Sequence, residues 1–295
     1  MAEAFGIVAG AAGLAAAFEP CVQCFLYIQL ARNFGKDFAT CQIKLDVLRV
    51  RLTRWGLAVG LGENPNPQAP APVPQITATE KEVAVLKEVL QSLQDDLEEA
   101  RRKSEKVKGR LPESTAQEIG DPDAELSEGP RRIHQTLAKV FSRRDKCRPN
   151  LLDKASWALY RKGDFENLID DITTHMGNLE SVFPAMETAV LQQALVQTSK
   201  QELSSIDDKE DLKLLSTMAG TSDIALVQAV NDIIKSKGDT WRNIDVNTTN
   251  AFNHLGHNFG SRETWSGSST WERINITGSG GKNHLGHNIN ISGVD

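Results

Sequence analysis

Six side chains have the types and spacings that could do chemistry: four histidines late in the chain and two cysteines early in it. His254-x-x-His257 and His284-x-x-His287 present four imidazoles, a donor set that suits zinc. On a strand, positions three apart face opposite sides, so chelation within one motif needs Gly256 or Gly286 to turn the chain. No cysteine or carboxylate accompanies either motif. The alternative is that equivalent histidines stack in columns; protonation near pH 6 would then set like charges against one another. Cys21-x-x-Cys24 has the spacing of a redox pair, but no βαβ pattern surrounds it. Val22 and Phe25 place it on an apolar face, which favours core cysteine. There is no G-x-S-x-G, no phosphate-binding glycine loop followed by Lys-Ser/Thr, and no H-E-x-x-H. Asp170-Asp171 is most simply a solvated helix face. These absences point away from an enzyme, and no metal or cofactor is expected.

The histidines belong to a repeat. Thr240–Gly260 (TWRNIDVNTTNAFNHLGHNFG) aligns without a gap on Thr270–Asn290 (TWERINITGSGGKNHLGHNIN) at an offset of 30 residues. Nine of the 21 positions are identical, and two units are fewer than a monomeric solenoid needs, so the segment must find further copies in other chains. Residues 240–295 hold nine Asn and eight Gly, no Pro, and equal numbers of acidic and basic side chains. A free chain of this composition is expected to be natively disordered. Yet Ile244-x-Val246, Ile274-x-Ile276 and Ile289-x-Ile291 alternate as strands do, and uncharged Asn-rich strands favour cross-β assembly.

Stacked as rungs about 4.8 Å apart, the two copies would form an amyloid core. Trp241 would meet Trp271, Ile244 meet Ile274, Val246 meet Ile276, and Leu255 meet Leu285. Asn253 and Asn258 would fall on Asn283 and Asn288 as amide ladders, with Gly256 and Gly286 at bends. Arg242 would fall on Glu272, so opposite charges would alternate up the stack.

The preceding residues read as all-α. The uncharged run 4–18 includes Phe5, Ile7, Val8, Leu14 and Phe18, and Glu19-Pro20 is expected to end it. A 15-residue helix is roughly 22 Å long, short of a bilayer core of about 30 Å. The run is either a buried first helix or one that can be released into a membrane, where its small residues would permit close helix approach. Helical spacing continues over residues 21–59, with a bend at Gly35, and a proline-rich loop follows at Asn64–Pro74. Thr77–Glu80 or Thr79–Glu82 is a capping box for the clearest helix, whose stripe is Val83, Leu86, Leu90, Leu93, Leu97 and Ala100. That helix should end near Gly109–Pro112, before an acidic loop. Ile133, Leu137, Val140 and Phe141 mark another helix, and Trp157 and Tyr160 a short one. Phe165–Val182 forms a long helix broken at Pro184, and the last helical patches are Leu212–Met218 and Ile224–Ile234. Four cysteines in 295 residues and no basic signal-peptide start suggest reduced thiols in the cytosol. The net charge of −6 gives no electrostatic case for nucleic acid.

FGIVAGA (Phe5–Ala11), CVQCFLYIQLARNFGKDF (Cys21–Phe38), CQIKLDVLRVRLTRWG (Cys41–Gly56) and KASWALYRKGDFENLIDDI (Lys154–Ile172) resemble the fungal HET-s/HET-S heterokaryon-incompatibility family. The resemblance spans about residues 1–234 as the family's helical HeLo domain; residues 235–295 would be the prion-forming region, a two-rung-per-molecule β-solenoid. L-G-H-N at Leu255 and Leu285 departs from the family's related L-G-N core. The resemblance implies a cell-death effector, soluble and cytoplasmic until its repeats are templated into amyloid. The helical domain would then be remodelled and the N-terminal segment would insert into the plasma membrane as an oligomeric pore. The implied partners are further copies of itself, a nucleotide-binding receptor with a similar motif, and membrane lipids. Family members divide into toxic forms and non-toxic prion forms, and the Ala-rich N-terminus leans toward the toxic form. A signalling scaffold without membrane activity and a zinc-dependent oligomerisation module remain the alternatives.

Overall fold

The computed structural model describes residues 11–26, 28–61, 78–112, 119–144, 157–236, 240–247, 249, 252–255, 258–259, 270–277, 279, 282–285 and 288–289. The chain divides into two compact units, Met1–Val230 and Asn231–Asp295.

The first unit is predominantly helical. Helix α1 (Ala11–Leu26) leads into strand β1 (Ile28–Leu30), and a kinked 3-10 segment (Arg32–Asp37) leads into α2 (Phe38–Ala58). The kink is at Gly35, whose φ of 51° is left-handed backbone that glycine adopts without steric cost. The longer helices that follow are α3 (Glu80–Lys108), α4 (Glu128–Arg144), α5 (Lys162–Ser181), α6 (Ala185–Glu202) and α7 (Lys209–Ala219), and α8 (Ile224–Ser236) runs across the division at Val230. Helix α3 begins at the Thr79–Glu82 capping box and stops at Gly109; its buried stripe is Leu86, Leu90, Leu93 and Leu97. Thr77 lies outside the described residues.

Helix α2 is the axis of the unit. It is buried on every side, and α1, α4, α5, α6 and α7 all pack on it. All-round burial explains its weak periodicity: no solvent face exists to alternate with a core face.

Three local expectations fail, the first being the helical stretch over residues 21–59, which strand β1 and the 3-10 segment interrupt. Pro20 does not end the first helix, which runs on to Leu26. One missing N–H is outweighed by the burial of Cys21, Val22 and Phe25 in the following turn. Trp157–Leu159 is not helical either. It is strand β2, paired parallel with β1 in the register Ile28↔Trp157, Gln29↔Ala158, Leu30↔Leu159. Three residues are too few for a period-2 signal to stand out, and Trp157–Leu159 is buried throughout, so tertiary pairing decides the conformation.

The second unit holds the repeats. Strands β3 (Thr240–Asn247), β4 (Phe252–Leu255) and β5 (Asn258–Phe259) pair parallel with β6 (Thr270–Thr277), β7 (Lys282–Leu285) and β8 (Asn288–Ile289). Every partner is 30 residues away.

Candidate functional site: a stacked repeat and a seated N-terminal helix

The register places Trp241 beside Trp271, Arg242 beside Glu272, Ile244 beside Ile274 and Val246 beside Ile276. Asn253 pairs with Asn283, His254 with His284, Leu255 with Leu285 and Asn258 with Asn288. Ile244, Val246, Ile274 and Ile276 are half-buried, while Asn243, Asp245, Asn247, Arg273, Asn275 and Thr277 are exposed. One face of the rung pair is therefore apolar and the other polar, as strand alternation requires. Gly256, Gly286, His257 and His287 lie outside the described residues. Among those described, no group of three or more His, Cys, Asp or Glu could hold a metal ion.

Sequence reasoning missed a corner in each rung. Asn243 and Arg273 occupy equivalent positions and both have positive φ, 53° and 54°. Left-handed backbone is common for Asn and costs Arg about 1 kcal/mol or more. The shared dihedral means that both copies turn at the same point and stay in register. A sequence signal existed only at Asn243.

The N-terminal helix α1 is seated in the core. Leu14 is fully buried and Phe18 nearly so. The Phe18 ring stands 5.9 Å from that of Trp55. Gly56 makes room for it: a Cβ there would come within 2.3 Å of the Phe18 ring. The Cys21 thiol donates to the Leu90 carbonyl of α3 at 3.3 Å. Burial, reinforced by Cys24, pushes that thiol up to about 12, so it is a core group rather than a reactive one. At the helix end, Arg49 donates to the carbonyl of Phe25 at 2.7 and 3.0 Å and to that of Ile28 at 2.8 Å. Phe5, Ile7 and Val8 lie outside the described residues. No described helix is long and apolar enough to cross a membrane.

Beneath this seat lies a set of buried charges. Arg51 forms a two-bond pair with Glu180 at 2.8 and 3.0 Å and donates to the Ser222 carbonyl at 2.7 Å. Arg54 donates to Glu202 at 2.7 to 3.0 Å and to Asp223 at 2.7 Å. Glu202 also accepts from Arg144 of α4. Burial opposes the charge on Arg54, but Asp223 and Glu202 outweigh it and hold the guanidinium above its ordinary value. Burial likewise opposes ionisation of Glu202, yet Arg54 and Arg144 hold it below the usual carboxylate range. Three cations (Arg51, Arg54 and Arg144) and three carboxylates (Glu180, Glu202 and Asp223) thus balance around α2.

The match to known proteins follows this anatomy. The family model for prion-inhibition and propagation, HeLo, fits residues 6–215. The chain belongs to the HeLo family. It is 32% identical over 229 residues to heterokaryon incompatibility protein S of Podospora anserina, covering 78% of this chain and 74% of that protein. Heterokaryon incompatibility protein s of Podospora anserina matches with the same identity and coverage. The solved HET-s N-terminal domain superimposes with a TM-score of 0.62 at 29% identity, over 75% of this chain and 96% of that one. A mutant of that domain superimposes with a TM-score of 0.63 at 28% identity, over 76% and 99% of the two chains. The HeLo match lies within the helical unit, and the resemblance to fungal HET-s/HET-S proteins is established.

Proposed function

We propose that this HeLo protein is a non-enzymatic cell-death effector of heterokaryon incompatibility, switched on by amyloid templating of its C-terminal repeats. The observation that carries this reading is the parallel, 30-residue register of the two copies. Each rung pair has two free parallel edges, and the same register repeated between molecules extends the stack indefinitely. Arg242 and Glu272 then alternate along the fibre rather than meeting their own kind. The partners are further copies of this chain and a receptor with a similar motif that supplies the first template.

Templating draws on helix α8, which ends at Ser236, shortly before β3 begins at Thr240. Remodelling of the C-terminal helices releases α1, and the segment from Phe5 to Phe18 disrupts the plasma membrane, to which the protein moves from the cytoplasm. A second reading, a prion or signalling scaffold without membrane activity, is favoured by the lack of a membrane-length apolar helix among the described residues. Liposome leakage during seeded assembly separates the two: leakage that requires Phe5–Phe18 is expected, and fibrils without leakage contradict the effector reading.

A further inference from the structure

Asp223 has two carboxylate oxygens and gives one to each of two helices. Its Oδ1 accepts the Leu226 backbone N–H at 3.0 Å, capping the first turn of α8. Its Oδ2 accepts Arg54 Nη1 of α2 at 2.7 Å. The residue is 1% exposed. Capping alone needs only an acceptor, and Ser, Thr or Asn would supply one without burying a charge. Arg54 already has Glu202 on its Nε and Nη2. The buried carboxylate therefore does something that neither the cap nor the arginine requires separately. The preceding residue repeats the pattern: Ser222 offers its carbonyl to Arg51, one turn from Arg54 on the same helix. Next to Arg54 along α2 stand Trp55 and Gly56, the two residues on which Phe18 of α1 rests.

We propose that Asp223 is an autoinhibitory latch, coupling the folded state of α8 to the seating of α1 through Arg54, Trp55 and Phe18. While α8 is helical, its cap fixes Asp223 against Arg54 and the buried charges balance. When α8 unwinds, the cap geometry is lost and Asp223 leaves. Arg54 and Arg144 must then share Glu202, one cation in excess. An uncompensated buried charge is strongly unfavourable, so α2 shifts to rehydrate Arg54 and the Phe18 seat opens. This inference rests on the function proposed above and supplies its trigger inside the helical domain.

Two substitutions in the full-length, unassembled protein test it. Asp223→Asn keeps an acceptor for the cap and removes the charge. Gln228→Pro, at an exposed position, breaks α8 without removing the Asp223 carboxylate from the chain. N-ethylmaleimide pulse labelling with peptide mapping reads Cys21 on α1, with buried Cys41 on α2 as the internal reference. Both variants are expected to label Cys21 about tenfold faster or more, with Cys41 at the parental rate. Cys21 at the parental rate in Gln228→Pro, or Cys21 and Cys41 opening equally there, overturns the latch. If Asp223→Asn opens both thiols together, Gln228→Pro alone decides. Seeded leakage is a separate measurement: a protected Cys21 with leakage intact removes only the latch, and selective opening without leakage removes only the membrane function.

Discussion

Phe18 of the N-terminal helix lies against Trp55 of the central helix, ring centroids 5.9 Å apart and tilted by 51°. The contact depends on Gly56, where a Cβ would meet the Phe18 ring. Gly56→Ala is therefore an overpacking change. It is expected to cost about 1–3 kcal/mol, lowering the urea midpoint and speeding Cys21 labelling. A midpoint equal to that of the parent would mean that the ring moves aside at no cost.

Arg54 is the most consequential polar residue of the core. Removing it in Arg54→Met leaves Glu202 with only Arg144 and Asp223 without its cation. Breaking a buried pair in this way costs about 3–5 kcal/mol, read as a fall in ΔG from denaturant unfolding. A loss below about 1 kcal/mol, typical of exposed pairs, would show that the cluster is hydrated in solution.

His134 makes the helical unit pH-dependent. Its Nδ1 lies 2.6 Å from Asp46 Oδ2. Burial opposes the imidazolium, but the bond to Asp46 overcomes it and holds the pKa above its ordinary value of 6.5. Arg49 works against the charge and Asp123 for it. A raised folded-state pKa gives stability that is fully present below 6.5 and lost as pH rises through the folded value. The urea midpoint is expected to fall between about pH 6 and about pH 8, and His134→Gln should abolish that part of the fall. An identical pH profile in the variant contradicts the assignment.

The rung register is testable by charge. Arg242→Glu sets two carboxylates side by side, and like charges in register are destabilising. Fibril formation should slow and the critical concentration should rise. Adding Glu272→Arg should restore both, since the pair is then only inverted. Failure of the double change to rescue would mean that the two positions are not neighbours. The corner gives an independent check. Arg273→Asn relieves left-handed backbone and is expected to lower the critical concentration several-fold, at about 1 kcal/mol per molecule.

Much of this was legible in the chain. The α3 stripe and its Thr79–Glu82 cap stand out because one face meets water. The offset between the repeats is also the offset of every strand pair described in the second unit. The hidden parts have a common cause, which is that burial erases pattern. Helix α2 is surrounded, so Asp46, Arg51 and Arg54 look like surface charges in sequence although each is buried. The partners of Arg51 and Arg54, which are Glu180, Glu202 and Asp223, lie far along the chain, and no local spacing links them. The β1–β2 pair and the continuation of α1 through Pro20 are likewise decided by what packs against them.

The central claim is that stacking of the repeats releases the N-terminal helix. The most direct test adds fibrils of residues 239–295 to full-length protein in the presence of dye-loaded liposomes. Seeding should cause leakage, and Leu255→Pro in the full-length chain should prevent both assembly and leakage while the helical unit stays folded, because proline removes a ladder donor from β4. Seeded fibrils that leave the liposomes intact, or equal leakage from the unseeded protein, would contradict the account.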